Sequence, residues 1–463
     1  MKSVAIVGGG VTGLTAAYRL KQKNVSVTLY EAGNRVGGVI KSTRQNGYLA
    51  EFGPNSILET SPKIASLVRD LGLENRRLYS APEAEKRYIV RGAKPVIVPA
   101  SPLKFLTTDL FSASAKLHLF AEVFKRAAPA TAEESVAEFV LRHLGREFLD
   151  YAINPLVAGI YAGDPARLSV RHGFPKLWEL EQKYGSLILG QILGARERKR
   201  RAEVSKQEAK KLSFDEGLQV FTDALGANLG QNLRLNCAVT GIGRKNGSWL
   251  VTTRANGREE ENEHSAVLLS APAYKLAEIR FASEPWIDLS AFKEIKYPPV
   301  ASLVLGFRRE DVTHPLDGFG MLIPAAERFS ILGALFSSSL FPNRAPAGHV
   351  LLTCYMGGAR APELALLGAE QQFELALNDL GRILGIRGAP TFKHAFVYPK
   401  AIPQYEVGYG KFKQLMNDTE VKAPGIFFAG HYRDGISLGD SMVSGDNAAE
   451  RMEAFVKTTN GHE

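Results

Sequence analysis

The chain of 463 residues contains only two cysteines, Cys237 and Cys354, which lack CxxC spacing and have no histidine cluster near them in the sequence. This scarcity excludes a disulfide framework, a structural zinc site and an iron–sulfur cluster, and it favours a reducing compartment. The sequence also lacks any run of 18 or more apolar residues. No membrane-spanning helix and no metal site are therefore expected.

Acidic residues are outnumbered: 57 lysines and arginines stand against 48 aspartates and glutamates, a net charge of +9. Such an excess favours anionic partners, for example lipid headgroups, nucleic acid or polycarboxylate substrates. Because no aromatic-basic platform or recognition motif accompanies the charge, no nucleic-acid partner is expected. The length predicts two or three domains.

A βαβ nucleotide-binding fingerprint occupies the first 31 residues. An apolar strand at 4–7 leads into the turn GGGVTG at 8–13, followed by a helical stretch, a second apolar strand and Glu31. The three glycines of such a motif allow the tight turn, the approach of a pyrophosphate and close packing of helix on strand. A carboxylate at position 31 accepts hydrogen bonds from a ribose and repels a 2′-phosphate. The cofactor contacts expected here are Gly8, Gly10, Val11, Thr12, Gly13, Glu31 and Ala32.

Further segments favour FAD over NAD. RVGG at 35–38 and EFGPNS at 51–56 follow the acidic residue, and a second Gly-Gly turn lets another backbone segment reach a long flavin. Near the C-terminus, residues 425–430 predict a buried strand and a glycine turn. A helix opened by residues 441–445 would point its positive end at the flavin pyrimidine. The added contacts expected are Gly37, Gly38, Gly53, Pro54, Asn55, Ser56, Gly430, Ile436, Ser437 and Leu438.

Motifs spread over the whole chain carry a resemblance to one family. They are NPLVAGIYAGDP at 154–165 with Leu168-Ser169, then Phe174-Pro175, EQKYGS at 181–186, Gly318-Phe319-Gly320, Phe341-Pro342 and Pro403-Gln404-Tyr405. With these residues the chain resembles the flavin amine oxidase superfamily and, within it, the oxygen-dependent protoporphyrinogen oxidases.

The resemblance implies an α/β fold, α+β overall, with three units. Residues 1–80, 215–275 and 420–463 would form a discontinuous, Rossmann-like FAD-binding domain. Residues 95–210 would form a mainly helical, membrane-associating domain. Residues 276–415 would form a sheet-based substrate domain, whose alternating strands predict one buried face.

The function implied by the resemblance is the six-electron oxidation of a porphyrinogen, with non-covalent FAD as cofactor, molecular oxygen as acceptor and hydrogen peroxide as product. The flavin carries the hydride chemistry, so no catalytic side chain is assigned. Arg87 matches a propionate-binding arginine, and Leu322 and Leu335 match aliphatic residues that enclose a pyrrole ring. Tyr355 stands where many members carry phenylalanine, so its hydroxyl needs a partner. The other expected substrate contacts are Gly159 and Gly163, in a loop that would offer carbonyls to pyrrole N–H groups, and Val239 is placed near the adenine end of the FAD.

The location expected is cytoplasmic, with peripheral contact at the inner face of the cell membrane. No signal or transit peptide is expected, because the cofactor strand begins at Val4. Basic residues among the apolar positions of 95–210 would suit an anionic bilayer surface. A homodimer is compatible with the sequence, which leaves the oligomeric state open.

Other functions stay open at this point. A coproporphyrinogen III oxidase of the same flavin type would differ in accommodating extra propionates. An amine oxidase or carotenoid desaturase would not require the motif at 154–164. A noncatalytic carrier of the kind represented by the prenyl-GTPase dissociation inhibitors could dispense with the flavin.

Overall fold

The computed structural model describes residues 3–124, 133–191, 193 and 209–460 of the chain. Most of the basic run at 195–211 lies outside these ranges. The described part is a mixed α/β structure.

The strands are β1 Val4–Val7, β2 Val27–Tyr30, β3 Ser42–Gln45, β4 Tyr48–Glu51, β5 Ile57–Leu58, β6 Arg77–Tyr79, β7 Arg87–Arg91, β8 Lys94–Ile97, β9 Lys211–Phe214, β10 Leu233–Arg234, β11 Ala238–Lys245, β12 Ser248–Ala255, β13 Arg258–His264, β14 Ala266–Leu269, β15 Arg280–Phe281, β16 Val300–Arg308, β17 Gly320–Leu322, β18 Ile331–Leu335, β19 His349–Gly357, β20 Phe392–Tyr398 and β21 Ile426–Phe428.

The α-helices are α1 Val11–Gln22, α2 Pro62–Asp70, α3 Pro102–Thr107, α4 Ala113–Ala121, α5 Val136–His143, α6 Arg146–Phe148, α7 Asn154–Tyr161, α8 Val170–Gly173, α9 Pro175–Tyr184, α10 Gln219–Leu229, α11 Ala273–Leu276, α12 Ser337–Leu340, α13 Ala369–Leu384, α14 Gly410–Lys422 and α15 Leu438–Asn460.

A parallel sheet in the order β10-β2-β1-β14-β21 assembles from three separated stretches of the chain. Its central strands are buried on both faces, as is usual when helices cover a parallel sheet. Helix α15 packs against α1, and Gly445 allows the close approach because a Cβ there would lie 2.3 Å from the carbonyl oxygen of Thr12. The carboxyl ends of β1 and β21 therefore meet at one edge of this sheet.

A second, mixed sheet runs in the order β20-β16-β19-β18-β17-β7-β8. Strands β7 and β8 add to the strands of the later segment through the parallel pair β7–β17. Residues 95–97 therefore lie in a strand of this sheet, where the sequence predicted the start of the helical domain. Residues 95–97 are extended because β8 pairs with β7, which in turn pairs with the distant strand β17, and the local sequence does not encode that pairing.

Strand β16 of the second sheet is covered on both faces, whereas the alternating sequence predicted one buried face for this sheet. All of β16 is buried except Arg308. One face packs on α13 and its neighbours, and part of the other packs on β4 through Tyr48 and Phe52. A strand that is covered on both sides needs apolar residues throughout, which β16 supplies.

Helices α3–α9 form the region between β8 and β9. Helix α5 begins with a capping box in which Ser135 and Glu138 exchange hydrogen bonds. Helices α3 and α4 have little buried surface, and none of the helices in the described ranges is long and apolar enough to span a bilayer.

Candidate active site

The three fingerprint glycines meet three different requirements in the turn between β1 and α1. Gly8 has φ +109°, a conformation that disfavours other residues. A Cβ at Gly13 would lie 2.1 Å from the carbonyl oxygen of Gly8, so only glycine permits this packing. Gly10 differs, because no protein atom lies within 4 Å of the position of its Cβ. Its partly accessible backbone, with Val11 and Thr12 in the first turn of α1, suits an approaching phosphate.

Glu31 follows β2 beside this turn. Its carboxylate accepts hydrogen bonds from the backbone N–H of Gly9 at 2.6 Å and of Gly33 at 2.7 Å. Ala32 is the residue between Glu31 and Gly33 in this short segment. The N–H of Cys237 donates to the Glu31 carbonyl, which brings the beginning of β11 and Val239 toward the same end of the sheet. The described contacts thus join the acidic residue, the glycine turn and β11.

The second glycine turn packs directly on the first. The N–H of Gly37 donates to the Gly9 carbonyl at 2.8 Å, and a Cβ at Gly38 would lie 3.5 Å from the Cα of Gly10. Both glycines have positive φ. Two flexible backbone segments therefore meet at the same edge of the parallel sheet.

The N-terminus of α15 completes this edge. The helix begins at Leu438, three residues before the segment that the sequence predicted to open it. Ser437 caps it, because its Oγ accepts from the N–H of Asp440 at 3.1 Å. Ile436 lies just ahead of the cap. Gly430, at the end of β21, donates its N–H to Ser444 Oγ at 2.8 Å.

The segment 53–56 connects the glycine turns to the seven-stranded sheet. Asn55 Nδ2 donates to the Tyr355 hydroxyl at 2.9 Å, and that hydroxyl donates to the Gly53 carbonyl at 3.0 Å. The partner that the Tyr355 hydroxyl requires is therefore present. Pro54 lies between these two contacts and Ser56 follows them.

Four of the predicted substrate residues share one face of the seven-stranded sheet. Strand register places Arg87, Gly320, Leu335 and Thr353 in one row across β7, β17, β18 and β19. The next row on that face contains Ile89, Leu322, Gly333 and Tyr355. Side chains on neighbouring strands in register point to the same face. Two of these eight positions, Gly320 and Gly333, carry no side chain, and this face with its gap is called the trough below.

Gly159 contacts this face from helix α7. A Cβ at Gly159 would lie 2.4 Å from Cδ2 of Leu322, so the helix approaches the sheet more closely than another residue would allow. Residues 154–161 are helical, although the sequence predicted a loop at 158–163. The carbonyl of Ala158 accepts within the helix end from Ala162 N, and the carbonyl of Ala162 accepts from Ala359 N at 2.7 Å. These two carbonyls are consequently occupied by protein donors.

Gln404 and Tyr405 make structural contacts that could not be predicted from the sequence motif in which they lie. Gln404 Nε2 donates to the Tyr161 carbonyl at 2.8 Å, and a Cβ at Gly163 would lie 2.4 Å from Gln404 Oε1. The buried Tyr405 hydroxyl accepts from Gly435 N at 3.1 Å and donates to the His431 carbonyl. The motif thereby joins α7 to the segment that precedes α15.

His431 is a half-buried imidazole in the same segment. Burial lowers its pKa to about 4, so the ring is neutral at physiological pH. The nearest polar side-chain partner is the Tyr297 hydroxyl, 3.5 Å from Nε2. No group of three or more His, Cys, Asp or Glu side chains in the described part of the chain could hold a metal ion.

Comparison with known proteins decides the family. The sequence model of the family of flavin-containing amine oxidoreductases matches residues 11–453. The chain belongs to this family. It is 37% identical to protoporphyrinogen oxidase 2, chloroplastic/mitochondrial, of Arabidopsis thaliana over 99% of this chain and 95% of that protein. It is 31% identical to coproporphyrinogen III oxidase of Bacillus subtilis (strain 168) over 96% of this chain and 97% of that protein.

Solved structures with low sequence identity share the fold. A candidate protoporphyrinogen oxidase of Exiguobacterium sp. 255-15 has a TM-score of 0.79 at 23% identity, covering 98% of this chain and 99% of that one. Cyclohexylamine oxidase of Brevibacterium oxydans IH-35A has a TM-score of 0.72 at 16% identity, with 98% and 99% coverage. The predicted α/β fold of the amine-oxidase type is confirmed, and the chain is a flavin-dependent oxidoreductase.

The residues present fit a flavin dinucleotide. Open space beside Gly10, the carboxylate of Glu31, the second glycine turn and the capped N-terminus of α15 all border one edge of the parallel sheet. Helix N-termini favour negative charge. Two such ends, those of α1 and α15, therefore suit the pyrophosphate and the electron-rich end of a flavin.

Proposed function

We propose that the protein oxidises protoporphyrinogen IX to protoporphyrin IX with non-covalently bound FAD. Six electrons and six hydrogens leave the macrocycle in three two-electron steps, and three molecules of oxygen become three molecules of hydrogen peroxide. The flavin, when bound, accepts hydride from carbon and passes the electrons to oxygen. Full-length identity of 37% to a plant protoporphyrinogen oxidase supports this activity.

The observation that carries the proposal is the single sheet face shared by Arg87, Leu322, Leu335 and Tyr355. Arg87 lies at one end of this face, where its planar guanidinium suits a propionate. Tyr355 lies toward the other end, bonded to the segment 53–55. The two leucines supply apolar contact for a flat ring between them. An apolar macrocycle with carboxylates along one edge matches this arrangement, in which a cation lies at one end of an apolar face.

The protein's own part in the reaction is to bind and orient. The Glu31 carboxylate would hold the ribose of the cofactor, and the backbones of Gly10 and Gly38 would contact its phosphates. Methylene bridges of the substrate are already activated by the flanking pyrroles, so no protein acid or base is assigned.

Anaerobic mixing tests the function. Purified holoprotein is mixed with protoporphyrinogen IX or coproporphyrinogen III, and flavin bleaching is followed by absorbance while porphyrin is followed by fluorescence. We expect rapid bleaching with protoporphyrinogen, and peroxide on admission of air. Faster turnover of coproporphyrinogen would assign the protein to the activity of its Bacillus subtilis relative, and bleaching by neither would refute both. Acid precipitation should release all of the yellow chromophore, since the FAD is not covalently attached.

Peripheral membrane contact belongs to the same proposal. Exposed apolar side chains extend over α3, α4 and the turn that follows, namely Leu103 at 73%, Leu106 at 49%, Leu117 at 74%, Phe120 at 57% and Phe124 at 87% exposure. With Lys104 and the net charge of +9, this patch suits an anionic bilayer surface. Monomeric proteins rarely leave such contiguous apolar surface in water. The location proposed is the inner face of the cell membrane.

Vesicle sedimentation tests the membrane contact. The wild-type protein should pellet with vesicles that contain phosphatidylglycerol and should pellet less in high salt. The double variant Leu117→Ser, Phe124→Ser should stay in the supernatant. Leu366→Ser, which changes a side chain 62% exposed elsewhere, is the control. Equal pelleting of all three proteins would refute the assignment of this patch.

A further inference from the structure

Strand β7 and the residue before it carry three basic side chains with different surroundings. Lys86 pairs with Asp317, and Arg91 pairs with Glu147 at 2.6 Å. The Arg87 side chain has no ion pair or hydrogen bond within the described residues. Its side chain is accessible to solvent, and yet burial by the surrounding protein lowers the pKa of the guanidinium. Both properties fit a side chain that lines a concave surface.

A second cation reaches the same place from a different sheet. Lys211 begins β9, which pairs with β5 and β6, and its carbonyl accepts from Ser80 N at 2.9 Å. Burial lowers the pKa of Lys211, and the positive charge of Arg87 lowers it further, while Glu85 acts in the opposite direction. Neither Glu85 nor any other carboxylate in the described part lies within ion-pair distance of Lys211. Two like charges thus stand near each other without a protein counterion.

The two cations flank the apolar trough. Lys211 Nζ lies 5.7 Å from the centre of the Phe319 ring. Phe319 precedes Gly320, which lies between Arg87 and Leu335 in register. Gly320 has φ +152°, and a Cβ there would lie 2.4 Å from the Ala334 carbonyl, so no side chain can separate Arg87 from Leu335. The carboxylate-binding end of the trough is therefore bordered by a guanidinium and an ammonium group.

We propose that Lys211 is a second carboxylate anchor, which acts with Arg87 to hold the two neighbouring propionates of the substrate. This inference rests on the proposed function and adds to it a residue that sets substrate specificity. Placing like charges together without a counterion is unfavourable. A dianionic ligand edge would neutralise both groups in one binding event. One propionate would bind the planar guanidinium and the other the more compact ammonium.

Steady-state kinetics of Lys211→Ala, Lys211→Arg and wild type test the proposal on two substrates. One substrate is protoporphyrinogen IX, and the other is its dimethyl ester, which carries no carboxylate. Loss of one charge-assisted contact should raise the KM of Lys211→Ala for the diacid ~10-fold, with a smaller change in kcat. The KM of that variant for the diester should stay within about twofold of wild type. Lys211→Arg should restore most of the affinity for the diacid.

Lys210→Ala is the matched control. Lys210 is the preceding residue, is exposed, and lies 5.1 Å over the Tyr79 ring, away from Phe319. Its KM values should equal those of wild type. Flavin content and melting temperature are measured for each variant, so that a folding defect is recognised. The salt dependence of KM for the diacid should also be weaker in Lys211→Ala.

Two results would overturn the inference. A KM of Lys211→Ala equal to wild type on the diacid would remove Lys211 from substrate binding, as would an equal loss on diacid and diester. In both cases an active wild-type enzyme would leave the proposed function intact. If wild type oxidises neither substrate, the proposed function fails and the inference fails with it.

Discussion

Gly10 is a glycine that the fold itself does not require. Gly8 and Gly13 are required by backbone conformation and packing, whereas the Cβ position of Gly10 is free of protein contacts within 4 Å. Its φ of −72° is accessible to any residue. The two kinds of glycine therefore separate binding from folding.

Gly10→Val should give folded protein that lacks flavin. The added isopropyl group would occupy the space through which a pyrophosphate approaches, while it contacts no protein backbone. Circular dichroism, melting temperature and the flavin absorbance of the purified protein are the measurements. Gly13→Val is the contrasting control, since it should fail to fold stably. Normal yellow colour in Gly10→Val would contradict the assigned role.

Arg87→Ala should weaken substrate binding and leave flavin content unchanged. The side chain has no partner in the described protein, so its removal costs no internal ion pair. We expect KM for protoporphyrinogen to rise ~10-fold or more, because a charge-assisted bidentate contact is lost. Lys86→Ala, whose side chain pairs with Asp317, serves as the comparison. Unchanged KM in Arg87→Ala would exclude the anchor role.

At the scale of elements, one buried carboxylate joins the exposed helices to the rest of the helical region. Glu122, in the turn after α4, is 0% exposed. It accepts from Ser186 Oγ at 2.6 Å, from Leu187 N at 2.7 Å and from Ile188 N at 3.0 Å, and it contacts His143 Nδ1 at 2.7 Å. The position of α4 thus depends on a single side chain that satisfies several donors.

Glu122→Ala should destabilise this region by about 3–5 kcal/mol, because removing one partner of a buried ionic network leaves the others unpaired. Burial raises the pKa of Glu122, but hydrogen bonds from Ser186, Ile188 and Leu187 outweigh it, and the pKa is lowered overall. Its stabilisation is therefore present above the unfolded pKa and is lost as pH falls through the folded pKa. Urea unfolding at pH 7 and at acidic pH measures both effects.

Glu138→Ala, which removes only a capping interaction of α5, should cost about 1 kcal/mol and provides the comparison. A loss of similar size in both variants would contradict the role assigned to Glu122. Flavin absorbance should be the same in both, because neither residue borders the parallel sheet.

At the scale of the whole molecule, Glu51 joins distant parts of the chain. It is buried at the end of β4 and accepts from Ser42 Oγ at 2.6 Å and from Leu218 N at 2.8 Å. Burial raises its pKa to about 7, although these hydrogen bonds and the charge of Arg344 act to lower it. The residue immediately precedes the segment 52–55 that reaches Tyr355.

The contribution of Glu51 to the free energy of unfolding should therefore fall as the pH rises from 5 to 7. In that interval the folded state keeps the proton, whereas an unfolded glutamate with a pKa of 4.5 has lost it. The change is on the order of 3 kcal/mol. Urea unfolding of wild type and Glu51→Gln at both pH values measures it, and the variant should gain stability relative to wild type as pH rises. Parallel pH dependence of the two proteins would contradict the raised pKa.

The local sequence was sufficient to predict the structure wherever the interacting residues are close along the chain. The fingerprint lies within 31 residues, so its turn, helix and acid could be identified together. In the structure Gly13 packs on the Gly8 carbonyl, and Glu31 accepts a hydrogen bond from the N–H of Gly9 in the same turn. The beginning of α15 was predicted three residues late because the capping residue Ser437 lies within a glycine-rich stretch. Residues 158–161 of the loop predicted at 158–163 proved helical, since Gly159 permits close packing on Leu322 and does not mark a turn there.

By itself the sequence determined the family of fold, and it predicted a dinucleotide-binding edge of the parallel sheet and a set of residues for a porphyrinogen. Only the tertiary structure decided that β7 joins β17, that Tyr355 bonds to Gly53 and Asn55, and that Lys211 lies beside the ring of Phe319. These contacts join residues that are more than one hundred positions apart. Periodicity and motif spacing indicate which residues are neighbours along the chain. Contacts between distant residues depend on how the sheets pack and on the register of their strands.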